Sequence, residues 1–409
     1  METPAFFLRA LREVACEHGD RLLAVASDPA PVPGVDVLAD GGLTLPQLAR
    51  AVSARCSSAP VAAVVATKEV HTISAARLAL ELGVARNPLS VVEAARDKAR
   101  MKEIWQANGI ATPRSVPVDP QGPPPEASLF PLVVKPTHGY ASVGVRRVDN
   151  SADLARQLDR IAELNTATLA QGSASFLAEP YLDGREYCVD TVWFDGDPLC
   201  DGVLARYEDP NAEHTFPDRL YVSEPWMDPA LRASVTELTH RAVRALGLRF
   251  GPTHTEVRFH RGQPHVLECA ARPGANAVFH HLLRSATGTD FTRAFYLSQI
   301  CTARAQLDRG PVPTAVAEHL HDGAHYFWYQ LPYQGHGTIR EIRGLEALDE
   351  RPDVELSLCY KQPGDVLYPH SDMDPQYFCS VVARYQPGPG SPPLWDHVRS
   401  FDQAVEVLF

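Results

Sequence analysis

The chain has 409 residues, enough for about three domains of average size. With 45% apolar and 22% charged residues, its composition is that of a globular protein, which excludes a disordered or collagen-like chain. A net charge of −12 argues against a nucleic-acid partner, and no apolar run approaches the ~20 residues of a membrane-spanning helix.

Helix and strand patterns alternate over residues 1–90. Residues 5–18 have apolar positions at helical spacing and end at Gly19, and residues 70–82 predict a second helix that ends at Gly83. Residues 21–26 and 61–66 are short apolar runs, typical of buried parallel strands. This pattern indicates a small open α/β layer without the glycine fingerprint of a dinucleotide site. No basic segment leads into an apolar one, so no secretory signal is predicted and a cytoplasmic protein is expected.

The remainder of the chain divides into helical, strand-rich and turn-rich parts. Residues 89–108 predict one helix, 113–125 a proline-rich connector, 151–164 a helix with Ser151 as its N-cap, and 229–246 a helix that ends at Gly247. Strands are predicted over 131–135 and 143–148, and on both sides of a turn at Asp183-Gly184. Pro311–Pro313 marks a boundary before a last part of short strands. The eight cysteines include no Cys-x-x-Cys pair, so no zinc site is predicted.

Residues 253–275 carry the strongest chemical signal. Two alternating runs surround Arg261-Gly262-Gln263, which predicts a hairpin with a three-residue turn. With Gly262 at its centre, Glu256 lies opposite Glu268, and two like charges in that position destabilise the ladder. A divalent cation between them reverses this effect, and Mg²⁺ takes one or two protein carboxylates together with substrate phosphates. The alternative is a register that differs by one residue, with both glutamates in solvent.

A phosphate-binding loop is a second, weaker signal. Over residues 133–148 a strand leads through Lys135 into a loop of small residues, whose backbone N–H groups could lie over phosphates while the lysine supplies a point charge. The alternative is an ordinary hairpin with a surface lysine. Lys98 and Lys102 lie one helical turn apart, and a solvated helix face explains them equally well.

The segment EPYLDGRE is the third signal. Tyr181 and Leu182 offer apolar surface, and the turn at Asp183-Gly184 could bring Glu186 back toward Glu179. Such carboxylates could bind an adenine amino group and a ribose diol. The alternative is a surface hairpin with two exposed carboxylates.

Taken in order, these segments resemble the ATP-grasp superfamily, and within it the carboxylate–amine ligases that include L-amino-acid (dipeptide) ligases. The resemblance runs from about Val61 to Ile300 and is carried by NPLSVVEAARDKARMKEIWQANGIATP, LVVKPTHGYASVGVRRV, FLAEPYLDGREYCVD, THTEVRFH and HVLECAARPGANAV. The stretch GTIREIRGLEAL…KQPGDVLYPHSD resembles the β-rich domain that closes the dipeptide-ligase and biotin-carboxylase-like branches.

The resemblance implies an α/β and α+β ATP-grasp fold. The expected parts are an N-terminal α/β (pre-ATP-grasp) domain over 1–90, a helix and linker over 91–127, a lid subdomain over 128–190, a catalytic core over 191–310 and a β-rich domain over 311–409.

The resemblance also implies a set of site residues. ATP would be bound by Lys98, Lys135, Ser142, Glu179, Tyr181, Leu182 and Glu186. The lysines would contact the phosphates under a lid formed by residues 137–144, with Glu179 at the adenine and Glu186 at the ribose. Glu256 and Glu268 would hold Mg²⁺, or Mn²⁺ in its place, and Arg272 would act with Lys135 in catalysis. Ala270 stands where many members have an Asn, so either the two glutamates suffice, or Asn276 or water completes the metal shell.

The implied activity is an ADP-forming ligase that activates an amino-acid-type carboxylate as an acyl phosphate and joins it to an amine, giving a dipeptide or related amide. Its partners would be small molecules, without nucleic acid or membrane, and a homodimer is left open. Glu69 could hold the ammonium of a substrate, or be a surface glutamate; His254 could point into the site, or be structural. The rival functions are a biotin-carboxylase-like or formate-activating enzyme and a non-catalytic nucleotide-binding module.

Overall fold

The chain begins with a small α/β unit. The structure is a computed structural model, and it describes residues 3–26, 32–118, 125–165, 175–209, 212, 214–309, 323–333, 335–368 and 378–409. The unit comprises α1 (Ala5–Glu17), β1 (Leu23–Ala26), β2 (Asp36–Ala39), α2 (Leu45–Arg55) and α3 (Thr72–Glu81). The two predicted helices are confirmed, and β1 pairs in parallel with β2. The strand predicted over 61–66 is wrong, because that segment makes no ladder.

Two helices occupy the region for which one was predicted. They are α4 (Leu89–Ala94) and α5 (Lys98–Ala107). The Asp97 side chain accepts hydrogen bonds from the backbone N–H groups of Ala99 and Arg100, and this cap starts a new helix. The Lys98 N–H, at the first position of α5, donates to the Thr137 carbonyl over 2.9 Å. The break thereby connects α5 to the loop after residue 136.

A four-stranded antiparallel sheet follows, with strand order β3-β6-β4-β5. It consists of β3 (Val116–Val118), β4 (Leu132–Pro136), β5 (Arg146–Val148) and β6 (Phe176–Pro180), with α6 (Ser151–Asn165) between the last two. The predicted N-cap of α6 is wrong by one residue: Asn150 Oδ1, not Ser151, accepts from the Asp153 N–H over 2.9 Å. The predicted connector over 113–125 contains β3.

An eight-stranded sheet forms the centre of the molecule, with strand order β11-β10-β7-β8-β9-β12-β17-β15. Its elements begin with β7 (Glu186–Phe194), β8 (Asp197–Tyr207), β9 (Leu220–Ser223), α7 (Pro229–Leu246), β10 (Gly251–His260), β11 (Gln263–Ala270), α8 (Val278–Thr287) and α9 (Phe291–Ile300). The strands predicted on both sides of Asp183-Gly184 are present as β6 and β7, but they belong to different sheets and do not pair as a hairpin. Gly247, at φ 87°, ends α7 as predicted.

Alternate residues of β7 point to the two faces of this sheet. Cys188, Val192 and Phe194 pack in a core with α1, α8 and α9. Val189 and Trp193 pack in a second core with α5 and α7. The buried strand therefore has helices on both sides, which holds β7 and its neighbours rigidly in place.

The last part of the chain is rich in short strands, as predicted. It contains β12 (His325–Leu331), β13 (Gly337–Thr338), β14 (Glu341–Arg343), α10 (Leu345–Asp349), β15 (Val354–Cys359), β16 (Val366–Leu367), β17 (Cys379–Tyr385), α11 (Leu394–Arg399) and β18 (Glu406–Leu408). Since β12 pairs with β9, these strands continue the central sheet. The boundary predicted at 311–313 lies outside the described residues, and the domain limits stay predictions. The α/β and α+β class is confirmed, and no helix in the described segments is long and apolar enough to cross a membrane.

The hairpin of β10 and β11 places Glu256 directly opposite Glu268, as predicted, but by a different route. Its turn has two residues, Arg261 and Gly262, both at positive φ, and His260 pairs with Gln263. Continued evenly, that register would place Leu267 opposite Glu256. A bulge next to Glu256 instead leaves Leu267 without a partner and brings Glu268 into place.

Candidate active site

A cavity of about 560 Å³ is lined by residues of both large sheets, the α3 region and the C-terminal strands. It brings together every residue proposed for the site from the sequence, namely Glu69, Lys98, Lys135, Ser142, Glu179, Tyr181, Leu182, Glu186, His254, Glu256, Glu268, Arg272 and Asn276. The structure thus places these residues in one concave site, while the role of each stays a prediction.

Glu256 and Glu268 differ in their electrostatic surroundings although they face each other. Burial, and after it the charge of Glu268, raises the pKa of Glu256 well above its usual value. Burial also raises the pKa of Glu268, but Lys98 and Lys135 outweigh it and hold that pKa below its usual value. Lys98 Nζ lies 3.2 Å from Glu268 Oε2. Glu268 therefore has cations beside it, whereas Glu256 has too little positive charge nearby to offset its burial.

This pair suits a hard divalent cation. Two opposed carboxylates supply oxygen ligands and a surplus of negative charge, the donor set that Mg²⁺ combines with phosphate oxygens. Within the described part of the chain, no group of three or more His, Cys, Asp or Glu side chains could hold a metal. Ala270, where an Asn was expected, is buried and offers no ligand. The remaining ligands would have to come from substrate phosphates, water or Asn276.

The lysines near the phosphate loop are buried, so the interpretation of Lys98 and Lys102 as a solvated helix face is wrong. Lys98 is 6% exposed and Lys102 only 1%. Lys102 Nζ lies 3.1 Å from Glu179 Oε2 and donates to Thr112 Oγ1 over 2.9 Å, while Lys135 Nζ lies 2.5 Å from Glu179 Oε1. Burial lowers the pKa of Lys102 to about 8. Glu179 thus lies between two lysines, and its adenine contact stays a prediction.

Glu186 likewise lies between two cations that sequence reasoning missed. Arg206 Nη1 donates to Glu186 Oε1 over 2.7 Å, and Arg258 Nη1 to Oε2 over 3.1 Å. The Arg258 guanidinium also lies 5.4 Å from the centroid of the Tyr181 ring. Glu179 and Glu186 are both 3% exposed, so the surface-hairpin alternative is wrong. A ribose contact by Glu186 would have to form beside these two guanidiniums.

Glu69 connects the N-terminal unit to the hairpin. Its carboxylate accepts from Arg96 Nη1 over 2.7 Å and from Arg272 Nε over 2.5 Å. Glu69 is 8% exposed, so the surface alternative is wrong. Burial raises its pKa, but the charges of Arg272 and Arg96 outweigh that effect and lower it. With two guanidiniums on one carboxylate, Glu69 has little charge left to hold a substrate ammonium.

Comparison with known proteins identifies part of the chain. Residues 128–280 match the model of the ATP-grasp domain family. This chain contains an ATP-grasp domain. The D-alanine–D-alanine ligase of Pseudomonas putida (strain GB-1) is 28% identical over 184 residues, which are 44% of this chain and 55% of that protein. The alanine–anticapsin ligase of Bacillus subtilis (strain 168) is 24% identical over 230 residues, which are 51% of this chain and 48% of that protein.

The chain spans about half the length of the curated relatives it matches. A solved structure, the L-amino acid ligase from Bacillus licheniformis, superimposes over 98% of this chain and 95% of its own with a TM-score of 0.79 and 22% identity. That likeness in fold includes the N-terminal unit and the C-terminal strands, which lie outside the residues that match the family model.

Within the ATP-grasp domain, a tight turn follows Arg272. Asp190 Oδ1 lies 2.7 Å from His254 Nδ1, and Asp190 Oδ2 accepts from the Gly274 N–H over 2.8 Å. A Cβ on Gly274 would lie 2.8 Å from both Asp190 and His254, so only glycine fits there. Asn276 is at φ 54°, a conformation that costs free energy in a non-glycine residue and is typical of functional turns.

An aromatic wall, formed by Tyr221, Phe279, Trp328 and Tyr360, lies on the C-terminal side of the cavity. The centroid of the Phe279 ring is 4.9 Å from that of Tyr221 and 5.6 Å from that of Trp328. Sequence reasoning assigned no site residue here, because Trp328 lies in β12 and Tyr360 directly follows β15, and the position of both strands in the central sheet is set by long-range pairing.

Proposed function

We propose that the protein is an ATP-dependent, ADP-forming ligase that activates an amino-acid-type carboxylate as an acyl phosphate and joins it to an amine. The observation that carries this proposal is the charge arrangement of the cavity in an ATP-grasp domain. Glu256 and Glu268 face each other, and Lys98, Lys135 and Arg272 line the same cavity. Phosphoryl transfer depends on positioning and charge neutralisation, for which these residue types are suited.

In the proposed reaction, a carboxylate oxygen attacks the γ-phosphorus of ATP and ADP leaves, which gives an acyl phosphate. The amine nitrogen then attacks the acyl carbon and forms the C–N bond. The nitrogen loses a proton, and phosphate leaves as the C–O bond breaks. Mg²⁺ bound by Glu256 and Glu268 would supply charge neutralisation. Lys98 and Lys135 would hold the phosphates, and Arg272 would stabilise the transferring oxygens and the later oxyanion.

Water has to be kept from an acyl phosphate. Residues 139–143 line the cavity, and the Lys98 amine donates to the Gly139 carbonyl over 3.3 Å. This loop is in a position to cover the reacting groups, as proposed for a lid. Two relatives, a D-alanine–D-alanine ligase and an alanine–anticapsin ligase, support amino acids as the substrate class.

The test is ADP release from Mg-ATP with pairs of amino acids, followed by hydroxylamine in place of the amine. We expect ADP only when both substrates are present, and a hydroxamate when hydroxylamine intercepts the acyl phosphate. Arg272→Ala should suppress both reactions, and Arg272→Lys should rescue poorly because lysine offers a point charge instead of a planar fork. AMP in place of ADP, or turnover that requires bicarbonate or formate, would contradict the proposal. ATP binding without turnover would favour a nucleotide-binding module.

A further inference from the structure

Most cations that line the cavity have an acidic partner. Lys98 is paired with Glu268, Lys135 with Glu179, Arg206 and Arg258 with Glu186, and Arg272 with Glu69. Among the described residues, Lys68 and Lys361 are the lining cations whose side chains have no hydrogen bond or ion pair. Lys68 is half-buried, and burial lowers its pKa to about 8.

The backbone at Lys68 is held firmly. Its carbonyl accepts from the His71 N–H over 3.1 Å, and the next residue, Glu69, is held by Arg96 and Arg272 from two other parts of the chain. In this corner of the cavity, Arg96 and Arg272 already neutralise Glu69, so the carboxylate next to Lys68 in the sequence is occupied. A half-buried ammonium without a partner is costly unless a ligand supplies the counter-charge.

Lys68 lines the same cavity as Arg272 and the Glu256–Glu268 pair. Among the described residues, neither glutamate forms an ion pair with Lys68; Lys98 pairs with Glu268, and His254 lies 3.9 Å from Glu256. An anion bound by Lys68 would therefore share the cavity with the proposed reacting centre and have its own positive partner.

We propose that Lys68 binds the free carboxylate of the amino acid that supplies the amine, and so selects acceptors that carry this anion over uncharged amines. The assignment rests on the proposed ligase function. It also replaces the expectation that Glu69 holds a substrate ammonium, because two arginines already neutralise Glu69. Lys68 would instead recognise the anionic end of the substrate.

The test compares L-alanine with L-alaninamide, and L-phenylalanine with L-phenylalaninamide, as acceptors for wild type, Lys68→Ala and Lys68→Gln. We expect wild type to prefer the acids. Both variants should raise the KM for the acid at least tenfold while leaving the KM for the amide within twofold and the ADP affinity unchanged. Lys68→Arg, which keeps the charge, should restore part of the preference.

Lys361→Ala is the matched control, since it removes the other unpaired lysine of the cavity. It should leave the preference for the acid over the amide in place. The assignment is overturned if Lys361→Ala, not Lys68→Ala, abolishes that preference, or if Lys68→Ala affects acid and amide equally. Weaker ADP or ATP binding by Lys68→Ala would show that the anion is a nucleotide phosphate.

Failure of the proposed ligase reaction can be told apart from failure of this assignment. If no pair of substrates yields ADP with wild type, the ligase proposal is wrong. Calorimetric binding of L-alanine and L-alaninamide to the protein with Mg²⁺ and a non-hydrolysable ATP analogue then still tests Lys68. A preference for the acid that disappears in Lys68→Ala upholds the anion site, and equal binding of both compounds by wild type refutes it.

Discussion

Glu179 and Glu186 each lie between two cations, whereas Glu256 and Glu268 face each other across a β-ladder in the same cavity. The first two carboxylates already have their full complement of charge from the chain itself. In the second pair, Glu268 has Lys98, and the one ion-pair partner of Glu256 in the described part of the chain is His254 Nε2 at 3.9 Å. This difference supports the proposal that Glu256 and Glu268 bind a cation from outside, whereas Glu179 and Glu186 stabilise the structure.

The largest expected effect is on activity, from Glu268→Gln. This change removes a proposed metal ligand and leaves Lys98 without its partner, so ADP release should fall by at least about 100-fold. Mg-ATP should stabilise the wild type against heat much more than the variant, because ligand binding is linked to folding. Glu103→Gln, on the exposed side of α5, is the control. Normal turnover by Glu268→Gln would remove the metal assignment.

The next effect is on stability, from Glu186→Gln. Two buried guanidiniums would lose their counter-charge, so we expect the free energy of unfolding to fall by about 3 kcal/mol. The matched control is Glu341→Gln, whose partner Arg343 is in solvent and whose loss should cost less than about 1 kcal/mol. Urea unfolding without nucleotide measures both. Equal small losses would show that Glu186 does not hold this part of the cavity together.

Asp190 offers a third case, a carboxylate beside a histidine that stays neutral. His280 is 1% exposed, its Nε2 lies 3.6 Å from Asp190 Oδ2, and its ring lies near Phe291. Burial lowers the pKa of His280 to about 4, while Asp190 and Asp290 oppose the shift. The unfolded chain therefore takes up a proton below about pH 6.5 that the folded chain refuses until about pH 4. The stability that neutral His280 contributes is fully present above its pKa in the unfolded chain, about 6.5. It is lost as the pH falls toward its pKa in the folded chain, about 4.

His280→Phe tests this dependence. Phenylalanine keeps the ring but cannot titrate, so the stability of the variant relative to wild type should rise by about 2 kcal/mol between pH 7 and pH 5. Urea unfolding at the two pH values gives this difference directly, and the acid response of other groups cancels in the comparison. Parallel pH profiles for the two proteins would mean that His280 is protonated in the folded state.

Short-range patterns predicted the local parts of the site, and long-range contacts supplied the rest. The alternating runs of the hairpin and the glycine that ends α7 were readable because each depends on neighbouring residues. The partners of Glu186 and Glu69 were not, since Arg258 lies 72 residues from Glu186 and Arg272 lies 203 residues from Glu69. The spacing of four between Lys98 and Lys102 places both on one helix face, but it does not report whether that face lies in solvent or against the rest of the chain.

The Glu256–Glu268 pairing was predicted from a turn length that proved wrong. A two-residue turn and a bulge at Leu267 together gave the register that a three-residue turn would have given. Turn length and bulges are decided by local backbone conformations that alternation does not report. The bulge makes the ladder less regular and is what brings the two carboxylates opposite each other.

The smallest expected effect, on stability, comes from Glu256→Gln, and its sign separates the two kinds of carboxylate. Removing this charge relieves the repulsion from Glu268, and among the described residues no lysine or arginine forms an ion pair with Glu256 that would be lost. In EDTA we therefore expect the free energy of unfolding to stay constant or rise by up to about 1 kcal/mol. With Mg-ADP the order should reverse, because the wild type gains more from the ligand. Urea unfolding of wild type, Glu256→Gln and Glu186→Gln, in EDTA and with Mg-ADP, measures these differences. If Glu256→Gln destabilises the protein in EDTA as Glu186→Gln does, Glu256 is a structural carboxylate and the contrast between the two pairs fails.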